Sequence, residues 1–171
     1  MVTNTIRVSE PTYHALQSIC LNLREVDAVE IYNLRPHDSW RKLAMEAWHM
    51  MTNEGRGVVA WIGPHPVATV GFVERWPGTW EIMMFGTDDL PKVALPLMQW
   101  ARKQIKDLVA NHGGRRLQCD SRMGHDEAHK FLRALGAVEE GPPQECFGAD
   151  GSSYQRFVWI WGRNSEVAEN A

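Results

Sequence analysis

Apolar positions along the chain alternate between helical and strand spacing. After a short strand candidate at residues 5–8 ("TIRV"), Pro11 and Thr12 supply a helix start, and Ala15, Leu16, Ile19, Cys20 and Leu23 fall on one helical face. The stretch "REVDAVEI" (24–31) is charged and short, a second helix or an extension of the first. Trp40, Leu43, Ala44, Ala47, Trp48 and Met51 then follow i, i+3, i+4, i+7 spacing, with Asp38 or Ser39 as cap and "NEGRG" as stop. From there the pattern turns to strands: "VVAWI", a "GPHP" turn, "VATVGFV", an "ERWPGT" turn and "WEIMMF". A helix from about residue 90 to 110 buries Val93, Leu97, Met98, Ala101, Ile105 and Leu108. A strand "RLQCD", a helix "HDEAHKFLRALG", a strand start "AVEE", the loop "GPPQECFGADGS" and a long last strand "SYQRFVWIW" complete the pattern.

The order is β-α-α-β-β-β-α-β-α-β-β. An antiparallel meander joined to crossover helices predicts one α/β domain over residues 1–161, with a mixed, mostly antiparallel sheet and helices on both faces. Residues 162–171 form a polar C-terminal tail.

Composition narrows the classes. The 171 residues suit one domain, and 44% hydrophobic with 23% charged residues is ordinary for a globular chain. The net charge of -3 gives no direct nucleic-acid signal. No apolar run approaches the ~20 residues of a membrane-spanning segment, and "MVTNTIRVSE" lacks a secretory core. Cys20, Cys119 and Cys146 are odd in number and widely spaced, which argues against a disulfide framework or structural zinc and for reduced thiols in a cytosolic compartment.

Two stretches invite chemistry. His125 and His129 stand four apart on one helix and amount to no more than half a metal site: Asp126 replaces the Glu that a zincin needs after its first His, and no third ligand is evident, so an exposed helix start is expected and no metal. Arg24, Glu25, Asp27 and Glu30 form a charged segment, expected as a solvated ion network or an interaction surface. Eight Trp exceed what one core needs; Trp76 sits in a turn, and Trp159 and Trp161 share a strand face, so these three are candidate interface anchors.

Three stretches, in order, resemble a known family. "RLQCDSRMGHDEAHKFLRALGAVEEG" is similar to the strand, A-x-x-F-L-x-x-L-G helix and strand of the GNAT (N-acetyltransferase) superfamily, on Ala128, Phe131, Leu132, Leu135 and Gly136. "NLREVDAVEI", "WEIMMFGTDDL" and "CFGADGSSYQRFVW" further resemble the GNAT-like proteins of short-tailed bacteriophages. The resemblance spans roughly residues 6–161 and implies a GNAT-like fold, with phage structural proteins as partners, in the virion or in the host cytoplasm during assembly.

For active members the resemblance implies a Gly-rich turn after the central strand, whose N–H groups and helix N-terminus hold the pyrophosphate of acetyl-CoA. Here Gly86 is followed by Thr87-Asp88-Asp89-Leu90-Pro91. The glycines are missing, the aspartates repel phosphate, and Pro91 removes a donor, so Thr87 or Asp88 is expected as a plain N-cap. The main expectation is therefore a virion or assembly protein without acetyl transfer, catalytic residues or cofactor. The alternative is an acetyl-CoA-dependent N-acetyltransferase acting on a protein or small amine. It would hold its cofactor along Met83, Met84, Phe85, Gly86 and Thr87, with Glu81 as base and Tyr154 as acid; without that role Tyr154 packs with its hydroxyl at the rim.

Overall fold

The computed structural model describes residues 5–162, so the tail expected at 162–171 lies, except for Gly162, outside the described residues. A first strand, β1 (Ile6–Ser9), leads into three helices: α1 (Tyr13–Leu21), α2 (Glu25–Tyr32) and α3 (Trp40–His49). The sequence order counted two helices here and left residues 24–31 as a second helix or an extension of the first; the separate helix forms. The third exists because Arg24 is extended (φ -63°, ψ 147°) and its N–H bonds to Gly86 O at 3.0 Å, a bond that a continuous helix would forbid. Thr12 caps α1 by accepting from the Ala15 N–H (3.2 Å), and Ser39 caps α3. A π-helical turn, Met50–Glu54, hands the chain to the meander.

The meander is β2 (Gly55–Ile62), β3 (His65–Trp76) and β4 (Thr79–Gly86). The β3–β4 turn shrinks to Pro77-Gly78, where Gly78 at φ +82° takes a conformation closed to most side chains. Helix α4 (Leu90–Asn111) crosses over to β5 (Arg116–Arg122), and α5 (Asp126–Ala134) leads to a two-residue β6 (Val138–Glu139) and to β7 (Tyr154–Ile160). The sheet runs β1-β2-β3-β4-β5-β7-β6, antiparallel except for β4 beside β5.

Strand alternation splits the core in two. On one face Phe72, Trp80, Ile82, Leu117, Phe157 and Trp159 pack on Val93, Leu97 and Ala101 of α4 and on Phe131 and Leu132 of α5. On the other, Val59 and Phe85 pack on Leu16 and Ile19 of α1 and Leu43 and Ala47 of α3. The expected single α/β domain with helices on both faces is what forms.

Candidate active site

The sheet opens where β4 meets β5. Their parallel ladder holds Thr79–Arg116, Trp80–Leu117 and Glu81–Gln118, and then stops. Thr87 donates to Val67 O on the β3 side (2.8 Å), so Gly86, Met84 and Ile82 turn their backbone groups the other way, toward β5. No β5 residue is in register with Ile82 or Met84. The gap is a cleft of about 1010 Å³ running from one face of the sheet to the other: Ala128, Phe131 and Leu132 of α5 line one end, and Arg35, Glu46 and His49 the other.

Six carboxylates (Asp27, Glu30, Glu46, Glu54, Glu81, Asp120) and three guanidinium groups (Arg24, Arg35, Arg75) line it, so its lining leans acidic. Glu81 sits where the ladder ends. It pairs with Arg75 (3.2 Å), and Gln118 Nε2 lies 3.5 Å away. Asp120 receives a bidentate clasp from Arg156 (2.8 and 2.7 Å). Glu46 accepts from Arg35 and His37; burial opposes its charge, but the hydrogen bonds from His37 and Arg35 prevail and lower its pKa. Half-buried Cys119 faces the cleft with its thiol pushed up by burial and by Glu30.

The charged segment of α2 closes the far end. It was expected in solvent, yet Arg24 and Asp27 are 7% and 2% exposed. Of its four charges, Arg24, Asp27 and Glu30 are engaged inside the fold, and Glu25 is exposed. Arg24 Nε lies 2.8 Å from Asp27 Oδ1, and Arg24 Nη1 donates to Glu127 (2.8 Å). The Gly86 N–H donates to Asp27 Oδ2 (2.9 Å). Glu30 accepts from Ser121 Oγ and the Arg122 N–H, and lies 2.8 Å from His125 Nδ1. Burial pushes the Asp27 carboxyl up, while the Arg24 guanidinium, also penalised by burial, is held charged by Asp27 and Glu127.

The α4 start is not capped by Thr87 or Asp88 in the expected way. Asp89 is the N-cap residue but its side chain makes no capping bond; it pairs with Lys92 (2.6 Å). The Thr87 carbonyl takes the Leu90 N–H (2.9 Å), and the Thr87 hydroxyl lies 3.4 Å from the Asp89 N–H. Gly86 has a packing reason: an added Cβ would meet Ala68 Cβ at 2.7 Å and Leu90 Cδ1 at 2.9 Å.

Other candidates fall apart in space. Tyr154 is fully buried, not at a rim, and its hydroxyl donates to the Glu30 carbonyl (2.9 Å). It pairs with Arg122, four residues along β5 from the Glu81 partner Gln118. His125 and His129 are buried, not an exposed helix start: His125 joins the α2 clasp, and His129 packs at a tilt against Phe157 with 4.9 Å between centroids. Trp159 is a core residue whose Nε1 donates to Leu135 O (3.0 Å), because its parity on β7 faces α5; it is no surface anchor. Trp161 packs partly buried on the same core, and Trp76 is 60% exposed. Gln118, Cys119, Asp120 and Ser121 escaped the sequence reading; the polar alternation of Gln118 and Asp120 within a strand was the one signal available.

Neither a protein-family model nor a curated protein matches the sequence. Solved structures do. The spermidine N-acetyltransferase SpeG of Vibrio cholerae is 14% identical over 91% of this chain and 93% of its own, with TM-score 0.66. RimL, a ribosomal-protein acetyltransferase solved with coenzyme A, is 10% identical over 94% and 96%, TM-score 0.67. A GNAT-family acetyltransferase from Streptococcus pneumoniae is 11% identical over 92% and 100%, TM-score 0.67. At such identities the likeness is one of fold, and the fold is that of the GNAT acetyltransferases. These structures overturn the expectation of a virion or assembly protein: the functions they name are acetyl transfer, and none of them names a virion component. Of the two cofactor expectations, the acetyl-CoA one has its counterpart in RimL, which is solved with coenzyme A.

Proposed function

We propose that this chain is an N-acetyltransferase that takes its acetyl group from acetyl-CoA and passes it to an amine. The observation that supports this most is the cleft that pierces the sheet where β4 and β5 part, because it gives two reactants access from opposite faces.

The thioester arm of the cofactor fits this cleft. Pantetheine carries two amides, and the backbone N–H and C=O groups of Ile82 and Met84 turn toward a space that no β5 residue fills in register. They hold such an arm as a strand edge holds an added strand. Phe131 and Leu132 keep that side apolar and exclude water. The diphosphate does not fit the α4 start, where carboxylates and Pro91 stand. When bound, acetyl-CoA supplies an activated acetyl thioester.

The residues of the opposite mouth serve the amine. Its carboxylates draw an ammonium group in from solvent. Glu81, at the end of the ladder, takes the proton that the nitrogen must lose, directly or through one water. Tyr154 is a positioning residue, since its proton is committed to Glu30 O.

Release of free thiol from acetyl-CoA in the presence of a panel of diamines and N-terminal peptides tests the proposal. Glu81→Gln lowers kcat by about 10²-fold or more with little change in KM for the thioester. Absence of thiol release with every amine, together with no acetyl-CoA binding by calorimetry, overturns it.

A further inference from the structure

The cleft is built for one part of a CoA thioester and not for the other. An anion held in the usual way at the α4 N-terminus would lie in the shallow depression of about 480 Å³ bounded by Arg24, Glu25, Val26, Asp88, Pro91 and Glu127. Three carboxylates face it. Its one guanidinium, Arg24, is already engaged by Asp27 and Glu127, and nearby Lys92 is engaged by Asp89. The first-turn donors are spent as well: the Leu90 N–H goes to Thr87 O and the Lys92 N–H to Asp89 O, while Pro91 has none. The Gly86 N–H and C=O, the last strand-edge groups on the way there, are taken by Asp27 and Arg24.

From this we infer that the donor is recognised as an acyl-pantetheine arm, and that the nucleotide of acetyl-CoA contributes no binding energy in this protein. The inference rests on the acyl-transfer proposal and narrows its donor class to pantetheine thioesters, with or without the phosphorylated nucleotide. The bond changes are the same for each: the amine nitrogen bonds to the acyl carbon, the C–S bond breaks, and the proton lost by the amine ends on the released thiol.

Calorimetry on the full chain with acetyl-CoA and with acetyl-pantetheine, at low and at physiological ionic strength, tests it. The expected result is that acetyl-pantetheine binds at least as tightly as acetyl-CoA at low salt. Acetyl-CoA then tightens as salt screens the carboxylates, until the two agree within about threefold. The exposed double variant Glu25→Gln, Asp88→Asn tightens acetyl-CoA at low salt and leaves acetyl-pantetheine unchanged. Acetyl-CoA binding about tenfold tighter than acetyl-pantetheine, and weakening as salt rises, overturns the inference and leaves acetyl transfer standing. An equal response of both thioesters to the double variant also overturns it. If neither thioester binds, acetyl transfer itself fails, and the inference with it.

Discussion

Helix α2 lines the cleft, helix α4 packs on one face of the sheet, and the two are held in opposite ways. Val93, Leu97, Ala101 and Leu108 of α4 are fully buried at helical spacing. That burial is sufficient for α4 to keep Pro96 within it, a residue that costs a helix about 3 kcal/mol. The one buried residue of α2 is Asp27. Its hold is pairwise and polar: Gly86 is 59 positions away, His125 95 from Glu30, and Glu127 103 from Arg24. Apolar burial has no direction and repeats along the chain; a polar clasp needs each partner in place.

The largest effect expected is at the clasp. Asp27→Asn leaves the Arg24 guanidinium buried with only Glu127 as anionic partner and costs about 3–5 kcal/mol, the range for breaking a buried pair. Leu97→Ala in α4 costs about 2–5 kcal/mol through its cavity. The two are told apart by pH in denaturant titrations. Arg24→Met leaves Asp27 buried without its cation, and burial already raises that carboxyl in the native fold. A raised folded pKa contributes stability that is present at low pH and lost as pH rises through it. The Arg24→Met deficit therefore shrinks as pH falls below neutral, whereas that of Leu97→Ala does not change with pH. A pH-independent Arg24→Met deficit breaks the comparison.

The same contrast decides what was legible in the sequence. The α3 stripe, the meander, α4 and the α5 face could be read because each writes its burial as a period of two or 3.6. The Arg24–Asp27 pair of the ion network expected in the α2 segment forms, but buried rather than solvated, because charge in a sequence carries no record of its partners. His125 looked like half a metal site; in space it is a partner of Glu30. Gly86 was legible as significant but not for its reason, which is the approach of Ala68 and Leu90. The cleft left the weakest trace, since it arises from a ladder that stops after Glu81, and no residue type marks that end.

A smaller effect sharpens the comparison from the β7 side. Tyr154→Phe removes the hydroxyl that ties β7 to the α2 backbone, at a cost of about 0.5–1.5 kcal/mol. As a positioning residue it lowers Tm and leaves the pH profile of kcat in place. Were it the acid for the leaving thiol, kcat would fall about 10²-fold or more with the alkaline limb altered and Tm little changed. Parallel thermal melts and pH–rate profiles separate the two.

The smallest effect lies at the loop between β6 and β7, which ties to α2 through the Ala149 N–H donating to Asn33 O (2.9 Å). Phe147 and Ala149 of this loop line the cleft. Asp150 holds the loop's shape by accepting from the Ser152 N–H (2.9 Å) and pairing with Arg122 (3.0 Å). The Ser152 side chain beside it and the hydrogen bond from the Ser152 N–H lower its carboxyl to about 2. A depressed folded pKa contributes stability that is present above the ordinary carboxylate value and lost as pH falls through the folded one. Between about pH 4 and pH 2 the loop therefore loses this support, while α4, held by apolar burial, does not. Limited proteolysis in acid checks this: cleavage within residues 141–153 rises over that interval in the native chain and is already raised, without further pH dependence, in Asp150→Asn. If acid cleavage begins in α4 instead, the polar attachment is not the weaker of the two.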